Sequence, residues 1–533
     1  MKPIITKPVI SIIKLLPVVI AAVALLLTAT AHAAAPGITG TTFNLTAQAA
    51  YISQPDGSMV YSWGYGCIST PSGGFDPPAS LMPNANCPTM QVPGPTLIVT
   101  QGQTVTVNLT NNLPTAAGNT SILFPGFNVP TGSSGVAGLL TREAAPGSTV
   151  SYSFVASSPG TRAYYSGTQG DLQVEMGLYG AIIVLPNTIP TNCTSGLAAK
   201  NLTAETHWGE SNFRLAAAAY NHPQACYDRE YLFQFSEMDP RIHRQAEEQV
   251  AARSTCVAGA AGCSLEVATE PYLPAYYMIN GRSMPDDMDP NYALEYPHQP
   301  YNGNPHMHPG EQVLLRIIGQ GRWQHPFHEH GNHVRVLGRD GNLIVSQSDP
   351  ANSLAGPLLF TTTTTPGQAM DGIFYWTGRG LNWDAYGHSP ASSDPLAKLS
   401  CIPDANGYNT NAPTAINYFE WCQDHNKPLQ GAPFGDVAGL GPATLPDANI
   451  LTNGAWYGGS PYLGPDATVR ASGPTGTTPP SGTIANSPTS EAGFAFMWHS
   501  HNEREITTNN IFPGGMMMMM LVDSREFVID ESN

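Results

Sequence analysis

Short runs in which apolar and polar residues alternate recur along most of this chain, and they predict β-strands. In residues 103–109 the two valines and the leucine occupy every second position, the period-two pattern that turns one side of a strand toward a core. Further strand-like runs in the first half of the chain are 42–47, 93–99 and 177–184. Glycine and proline punctuate these runs, as turns do in a β-sandwich.

The second half of the chain repeats this pattern and then interrupts it. Its strand-like runs are 231–235, 278–281, 311–318, 334–341, 494–498 and 516–522. From about 382 to 491 the periodicity collapses into proline, glycine, serine, threonine and asparagine, which predicts a long loop-rich insertion. We therefore predict an all-β chain with one β-sandwich over 36–190 and a second over 200–533.

Composition supports this prediction and narrows the choice of partners. The chain has 53 glycines and 48 prolines, enough for many turns between strands. Its formal net charge is −17, so neither nucleic acid nor an anionic membrane surface is an expected partner.

The first 35 residues have the pattern of a signal peptide. Lys2, Lys7 and Lys14 precede an apolar run over 15–27, and Ala31 to Ala33 provide the small residues of a cleavage site. The alternative is an uncleaved membrane anchor, but the apolar run is shorter than the roughly 20 residues that span a bilayer. We predict export to the periplasm or the extracellular space.

Export implies an oxidising compartment, in which the eight cysteines are expected to form disulfides. Local pairing would join Cys67 with Cys87, Cys256 with Cys263, and Cys401 with Cys422, leaving Cys193 with Cys226. The sequence alone does not establish this connectivity. No cysteine lies near the two histidine clusters at 325–331 and 499–501.

These two histidine clusters carry the strongest chemical signal. His325, His328 and His330 lie in the segment 325–331, and His499 and His501 come about 170 residues later. Residues two apart on a strand share a face, so two adjacent strands could direct four imidazoles to one point. Neutral imidazole binds copper, zinc, iron or nickel. The alternative is that these histidines are a cluster of polar residues that binds no metal.

Another pair, His306 and His308, lies in a proline-flanked segment. Loop histidines of this kind are typically exposed to solvent, so we predict no metal site there.

A series of motifs in this order resembles the multicopper oxidases, which are built from linked cupredoxin domains. The motifs are 93–96 (PGPT), 102–105 (GQTV), 159–161 (PGT), 177–180 (GLYG), 280–281 (NG), 325–331 (HPFHEHG), 498–501 (WHSH) and 515–516 (GM). Because one complete late-domain pattern is present, the closer resemblance is to two-domain members, which are similar to nitrite reductases and small laccases. The resemblance implies two cupredoxin-like Greek-key sandwiches and a homotrimer.

The chain departs from the family pattern at the blue copper site. By resemblance, His325 corresponds to the first histidine ligand and Met516 to the axial methionine. Ser500, however, stands where the family has its cysteine, and Glu505 stands where it has a second histidine. A serine hydroxyl cannot supply the soft thiolate of a blue centre.

The first domain departs in a similar way. The family's two domain-one His-x-His pairs would fall within 121–126 and 163–167, and neither segment contains histidine. Four of the eight histidines expected around a trinuclear copper cluster are therefore missing. The remaining four are His328, His330, His499 and His501.

These observations lead to two hypotheses. The first is a secreted copper-binding oxidoreductase with a mononuclear or dinuclear site, formed by these four histidines with His325 as a further candidate, that oxidises a metal ion or a small reductant. Iron, manganese or zinc are alternative metals, because Glu329, Glu503 and Glu505 lie close in sequence. The second hypothesis is a noncatalytic copper-binding or structural protein that retains the oxidase scaffold.

Overall fold

The computed structural model describes residues 35–130, 141–195, 214–379, 403–410, 420–421, 459–462, 468–469, 484–485, 493–523 and 527–529. The predicted signal peptide, the pair Cys401 and Cys422, and most of the predicted insertion lie outside these residues. The described residues are dominated by β-strands, so the predicted all-β fold class is confirmed.

The first sandwich packs a five-stranded sheet, in the order β4-β1-β5-β9-β8, against a four-stranded sheet, in the order β3-β2-β6-β7. Its strands are β1 (Gly37–Thr39), β2 (Thr42–Ser53), β3 (Met59–Cys67), β4 (Phe75–Asp76), β5 (Leu97–Thr100), β6 (Thr104–Asn111), β7 (Thr149–Val155), β8 (Gly160–Tyr165) and β9 (Tyr179–Leu185). The alternation read from the sequence holds in β6, where Val105, Val107 and Leu109 are buried and the intervening residues are not.

The second sandwich is also made of two sheets. One contains β11-β10-β13-β19-β15-β16 with β17 beside β15, and the other contains β12-β24-β23-β14-β18 with β20 beside β23. The strands are β10 (Arg229–Met238), β11 (Tyr276–Ile279), β12 (His306–Met307), β13 (Gln312–Gly319), β14 (His325–Glu329), β15 (Val334–Arg339), β16 (Asn342–Leu343), β17 (Leu358–Leu359), β18 (Thr361–Thr364), β19 (Ala369–Tyr375), β20 (Gly459–Tyr462), β23 (Gly493–Ser500) and β24 (Met517–Asp523). A separate pair, β21 (Thr468–Val469) and β22 (Ile484–Ala485), lies with β20 inside the predicted insertion, so this segment is not purely loop.

Helices are short in the described residues. They are α1 (Gly170–Gln173), α2 (Thr191–Ser195) and α3 (Pro240–Ala252), with 3-10 turns at Thr115–Ala117 and Asp286–Met288. In α3 the side chain of Asp239 accepts a hydrogen bond from the Arg241 N–H, and Pro240 occupies the first turn, where its missing N–H has no cost. None of the helices in these ranges combines the length and apolar character needed to cross a bilayer.

The two sandwiches are held together by buried polar groups. The Asp371 carboxylate on β19 accepts hydrogen bonds from the Thr161 N–H on β8, at 3.0 Å, and from the Tyr220 hydroxyl, at 2.6 Å. Gly281 adopts a φ of +82°, and a Cβ at this position would lie 2.1 Å from the carbonyl oxygen of Val92. Only glycine permits this close approach of the two backbones. The approach brings the motif at 280–281 against the start of the motif at 93–96.

Three predicted disulfides are present. They join Cys67 with Cys87, Cys193 with Cys226, and Cys256 with Cys263. These bonds fit the oxidising compartment that the sequence predicts.

Candidate metal centre

Strands β14 and β23 run antiparallel in a register that places His328 opposite His499 and Phe327 opposite Ser500. Successive residues of a strand point to opposite faces of the sheet. One face of this strand pair therefore carries the histidines, while the other turns Phe327 and Ser500 toward the core of the second sandwich.

Three imidazoles converge on the histidine face. Nitrogen atoms of His328, His330 and His499 all lie within 4.8 Å of one another, and the two Nε2 atoms of His330 and His499 are 3.3 Å apart. His501 lies beside them, with its ring centroid 4.7 Å from that of His328, but it is exposed and outside this group of three. The structure thus brings the four predicted histidines together and makes three of them the core of the cluster.

Hydrogen bonds orient two of these rings. The Nδ1–H of His499 donates to the Ser500 carbonyl oxygen at 2.7 Å, and Nδ1 of His328 is 2.6 Å from the Thr361 hydroxyl. Such bonds select the tautomer and direct Nε2 toward a metal. Burial lowers the pKa of His328 to about 4, helped by the neighbouring imidazoles of the cluster, and burial also lowers the pKa of His499. Both rings are therefore neutral at pH 7, as metal ligands must be.

The opposite face of the strand pair holds His325 in a different environment. Its Nδ1 is 2.8 Å from Glu505 Oε2, and its Nε2 is 2.9 Å from Glu237 Oε2. All three side chains are almost completely buried. Neither ring nitrogen of His325 is directed at the other histidines, and neither is available to a metal in this arrangement. The structure places His325 in an ion-pair triad, defined here as Glu237, His325 and Glu505.

The triad occupies the position at which the resemblance implies a blue copper. The Ser500 hydroxyl donates to Glu505 Oε2, and Asn502 Nδ2 donates to Glu505 Oε1 at 2.8 Å. The Met516 N–H donates to the Glu505 carbonyl oxygen at 2.8 Å. All the residues that correspond to blue copper ligands therefore belong to one hydrogen-bonded network, and this network contains no thiolate.

Glu237 was not identified from the sequence, although it connects the triad to the first sandwich. Its Oε1 accepts hydrogen bonds from the Arg322 and Trp323 N–H groups and, at 3.2 Å, from the Tyr272 hydroxyl. The Tyr272 hydroxyl also lies 2.7 Å from Glu175 Oε2, and burial raises the pKa of Glu175 to about 8. Glu237 lies 88 residues before His325 along the chain, so no local pattern could have revealed the pairing.

We expect the triad to make the free energy of unfolding fall as the pH rises into the alkaline range. Although burial opposes the charge of His325, its hydrogen bonds to Glu237 and Glu505 raise its pKa from 6.5 to about 9. The folded state therefore retains a proton that the unfolded chain releases above pH 6.5, so the stabilisation is complete below that pH and is lost as pH rises through about 9. Relative to His325→Gln, the unfolding free energy of the unmodified chain should fall by roughly 3 kcal/mol over this interval. Urea titrations of both proteins measure the difference, and parallel pH profiles would contradict it.

In the first sandwich, aromatic residues pack around one of the segments where the resemblance implies histidines. Tyr164, within one segment where the family has histidines, is fully buried and donates its hydroxyl proton to the Pro95 carbonyl oxygen at 2.7 Å. Tyr65 donates to the Ser121 carbonyl oxygen at 2.6 Å, and the Tyr164 ring packs on Tyr65 and Phe124 with centroids 5.7 and 6.0 Å apart. The first sandwich thus presents packed tyrosines here.

The prediction that His306 and His308 are exposed is wrong. Both are buried on or beside β12, where Nδ1 of His306 lies 2.8 Å from Asp523 Oδ2 and Nδ1 of His308 lies 3.0 Å from the Asp523 carbonyl oxygen. The proline-flanked segment suggested a surface loop, but pairing of β12 with the last strand buries it. Met517 to Met520 lie mostly buried on that last strand, β24, as expected for a core strand, and the buried Met516 directly precedes it.

The residues present can hold a metal at the histidine cluster but not a blue copper at the triad. Neutral imidazoles on adjacent strands suit copper, zinc or iron. The triad does not fit a blue copper, because serine and carboxylates replace the thiolate and one imidazole. The blue copper that the resemblance implies therefore has no matching set of ligands at the triad.

Comparisons with known proteins found a family match and distant structural likenesses. Residues 87–188 match the family model described as multicopper oxidase. A search of curated proteins finds no significant match. Among solved structures, the chain resembles the multicopper oxidase mgLAC at 16% identity over 90% of this chain and 86% of that chain, with a TM-score of 0.44. A blue copper oxidase from Nitrosomonas europaea shares 16% identity over 90% of this chain and 85% of its own, with a TM-score of 0.42.

The matched segment extends from Cys87, in the loop after β4, to just beyond the end of β9, and it contains four of the motifs on which the resemblance was based. The resemblance to the multicopper oxidase family is therefore confirmed, and the family match itself lies within the first sandwich.

Proposed function

We propose that this chain is an exported copper-binding oxidoreductase whose metal is held by His328, His330 and His499, with His501 as a fourth ligand. The observation that carries the proposal is the approach of three imidazole nitrogen groups to within 4.8 Å of one another on a family scaffold. Bound copper would supply one-electron redox chemistry at this position. The predicted signal peptide and the disulfides support export.

The chain's own residues prepare the site. Thr361 and the Ser500 carbonyl hold two rings in orientation, and burial keeps them neutral. His501, at the exposed edge, leaves the site open to a small reductant or a metal ion.

Oxygen uptake tests this proposal. The copper-loaded protein is supplied in turn with 2,6-dimethoxyphenol, ferrous ion and manganous ion as donors. We expect copper-dependent uptake with at least one donor and its loss in His499→Ala. Bound copper without uptake on any donor would support the noncatalytic alternative, and failure to bind copper would contradict both.

The noncatalytic alternative rests on one specific observation. The position of the family's electron-accepting copper is occupied by the buried triad, so electrons have no thiolate-bound copper through which to enter. In that case the histidine cluster would bind copper for storage or for structural purposes.

Spectroscopy should separate this chain from its blue relatives. We expect copper-loaded protein to show no intense absorption near roughly 600 nm, because the six cysteines in the described ranges are all disulfide-bonded and none belongs to the triad or the histidine cluster. Absorption spectra recorded during copper titration measure this. A strong band in that region would show that sulfur coordinates the metal.

A further inference from the structure

A cleft of about 900 Å³ lies on the second sandwich, and His333, three residues after His330, is among the residues that line it. Strands β15, β17 and β19 form much of its wall, and the disulfide partner Cys226 contributes from another side. This volume is within the range of small-molecule binding sites, which combine apolar walls with a few polar groups.

The lining of the cleft favours a negatively charged ligand. Arg335 is the one charged residue among the described residues that line it, and none of them carries a carboxylate. One guanidinium nitrogen of Arg335, Nη1, donates to the Gly356 carbonyl oxygen at 2.8 Å, which anchors the side chain. Its remaining N–H groups have no partner within the described parts of the chain, so they can meet a carboxylate in the paired geometry that guanidinium favours.

The rest of the cleft suits a flat apolar body. Leu354, Leu358 and Ile373 line it, and Leu358 is 53% exposed. Burial lowers the pKa of His333, another lining residue, so its ring is neutral and offers an apolar face. A divalent cation would find no anionic ligand on these walls.

Phe360 connects this cleft to the histidine cluster. Its ring centroid lies 5.1 Å from that of His333 and 5.7 Å from that of His328. A molecule held in the cleft would therefore be separated from the proposed metal ligands by the His333 and Phe360 side chains.

We propose that this cleft binds a small organic anion with a planar apolar body, its carboxylate held by Arg335 and its body by the leucine and isoleucine side chains. Occupancy of the cleft does not depend on the metal. That the bound molecule acts as the reductant for the metal centre rests on the proposed function.

Calorimetric titration of metal-free protein with 2-naphthoate tests the cleft. We expect saturable binding that weakens about tenfold or more in Arg335→Gln, because a charge-assisted hydrogen bond is lost. Arg335→Lys should retain part of the affinity. Arg339→Gln is the matched control, since Arg339 lies on the same strand but hydrogen-bonds to Gln368 away from the cleft. The neutral analogue 2-naphthol should bind more weakly than the anion.

Equal affinity of Arg335→Gln and the unmodified protein, equal affinity for 2-naphthol, or no binding at millimolar ligand would each overturn the proposal. Because the measurement uses metal-free protein, it is independent of oxygen uptake. Binding without turnover would leave the cleft assignment intact and refute the proposed function, and turnover without binding would do the reverse.

Discussion

Replacing His499 with alanine is expected to weaken copper binding by more than about a hundredfold. Loss of a group that merely orients a ligand costs roughly 10- to 100-fold in metal affinity, and His499 provides a ligand itself. Its ring lies beside those of His328 and His330, with Nε2 3.3 Å from His330 Nε2 and its centroid 5.5 Å from that of His328. Competition titration with a copper chelator measures the affinity of each variant.

His333→Ala is the control for this experiment. His333 is three residues beyond His330 and contacts Phe360, but it lies outside the group of converging nitrogens. Its removal should leave copper affinity within about threefold of the unmodified value, well under 1.4 kcal/mol. Equal losses in the two variants would show that copper is bound without regard to the geometry of the cluster.

Removing His325 is expected to destabilise the protein by about 3 to 5 kcal/mol, the usual cost of breaking a buried ion pair by deleting one partner. In His325→Ala the carboxylates of Glu237 and Glu505 would face each other, buried and without the imidazolium between them. Urea unfolding at pH 7 measures the loss. Because the triad is separate from the histidine cluster, copper binding to the folded variant should persist.

His298→Ala provides the comparison. Within the described residues, the side chain of this partly buried histidine makes one hydrogen bond, from Nδ1 to the Met90 carbonyl oxygen at 2.8 Å, and its removal should cost about 1 kcal/mol. A double variant, His325→Ala with Glu505→Gln, should be less destabilised than the sum of the single changes, since it relieves the carboxylate repulsion. Similar losses for His325→Ala and His298→Ala would contradict the triad.

Much of the fold follows from local sequence pattern. Period-two alternation correctly predicted strands such as β6, and glycine and proline marked the turns between them. Helix α3 was not predicted, although Asp239 and Pro240 form a capping signal, because few apolar residues mark its buried face. The run 93–99 forms a strand only from Leu97, since prolines at its start remove N–H donors.

The candidate site, like the fold, could be predicted only in part from local sequence. The His-x-His spacing on two strands sufficed to predict that His328, His330, His499 and His501 lie close together, because strand periodicity is local. The role of His325 could not be predicted, because it depends on Glu237, which β10 supplies from far along the chain. The burial of His306 and His308 likewise depends on pairing with the last strand.

X-ray absorption at the copper edge of the loaded protein tests the central claim most directly. We predict a first coordination shell of nitrogen or oxygen atoms, with the multiple scattering of three or four imidazoles, and its reduction by one imidazole in His499→Ala. A copper–sulfur shell, or a spectrum without imidazole scattering, would contradict the conclusion that histidines on and directly after β14 and β23 form the metal centre.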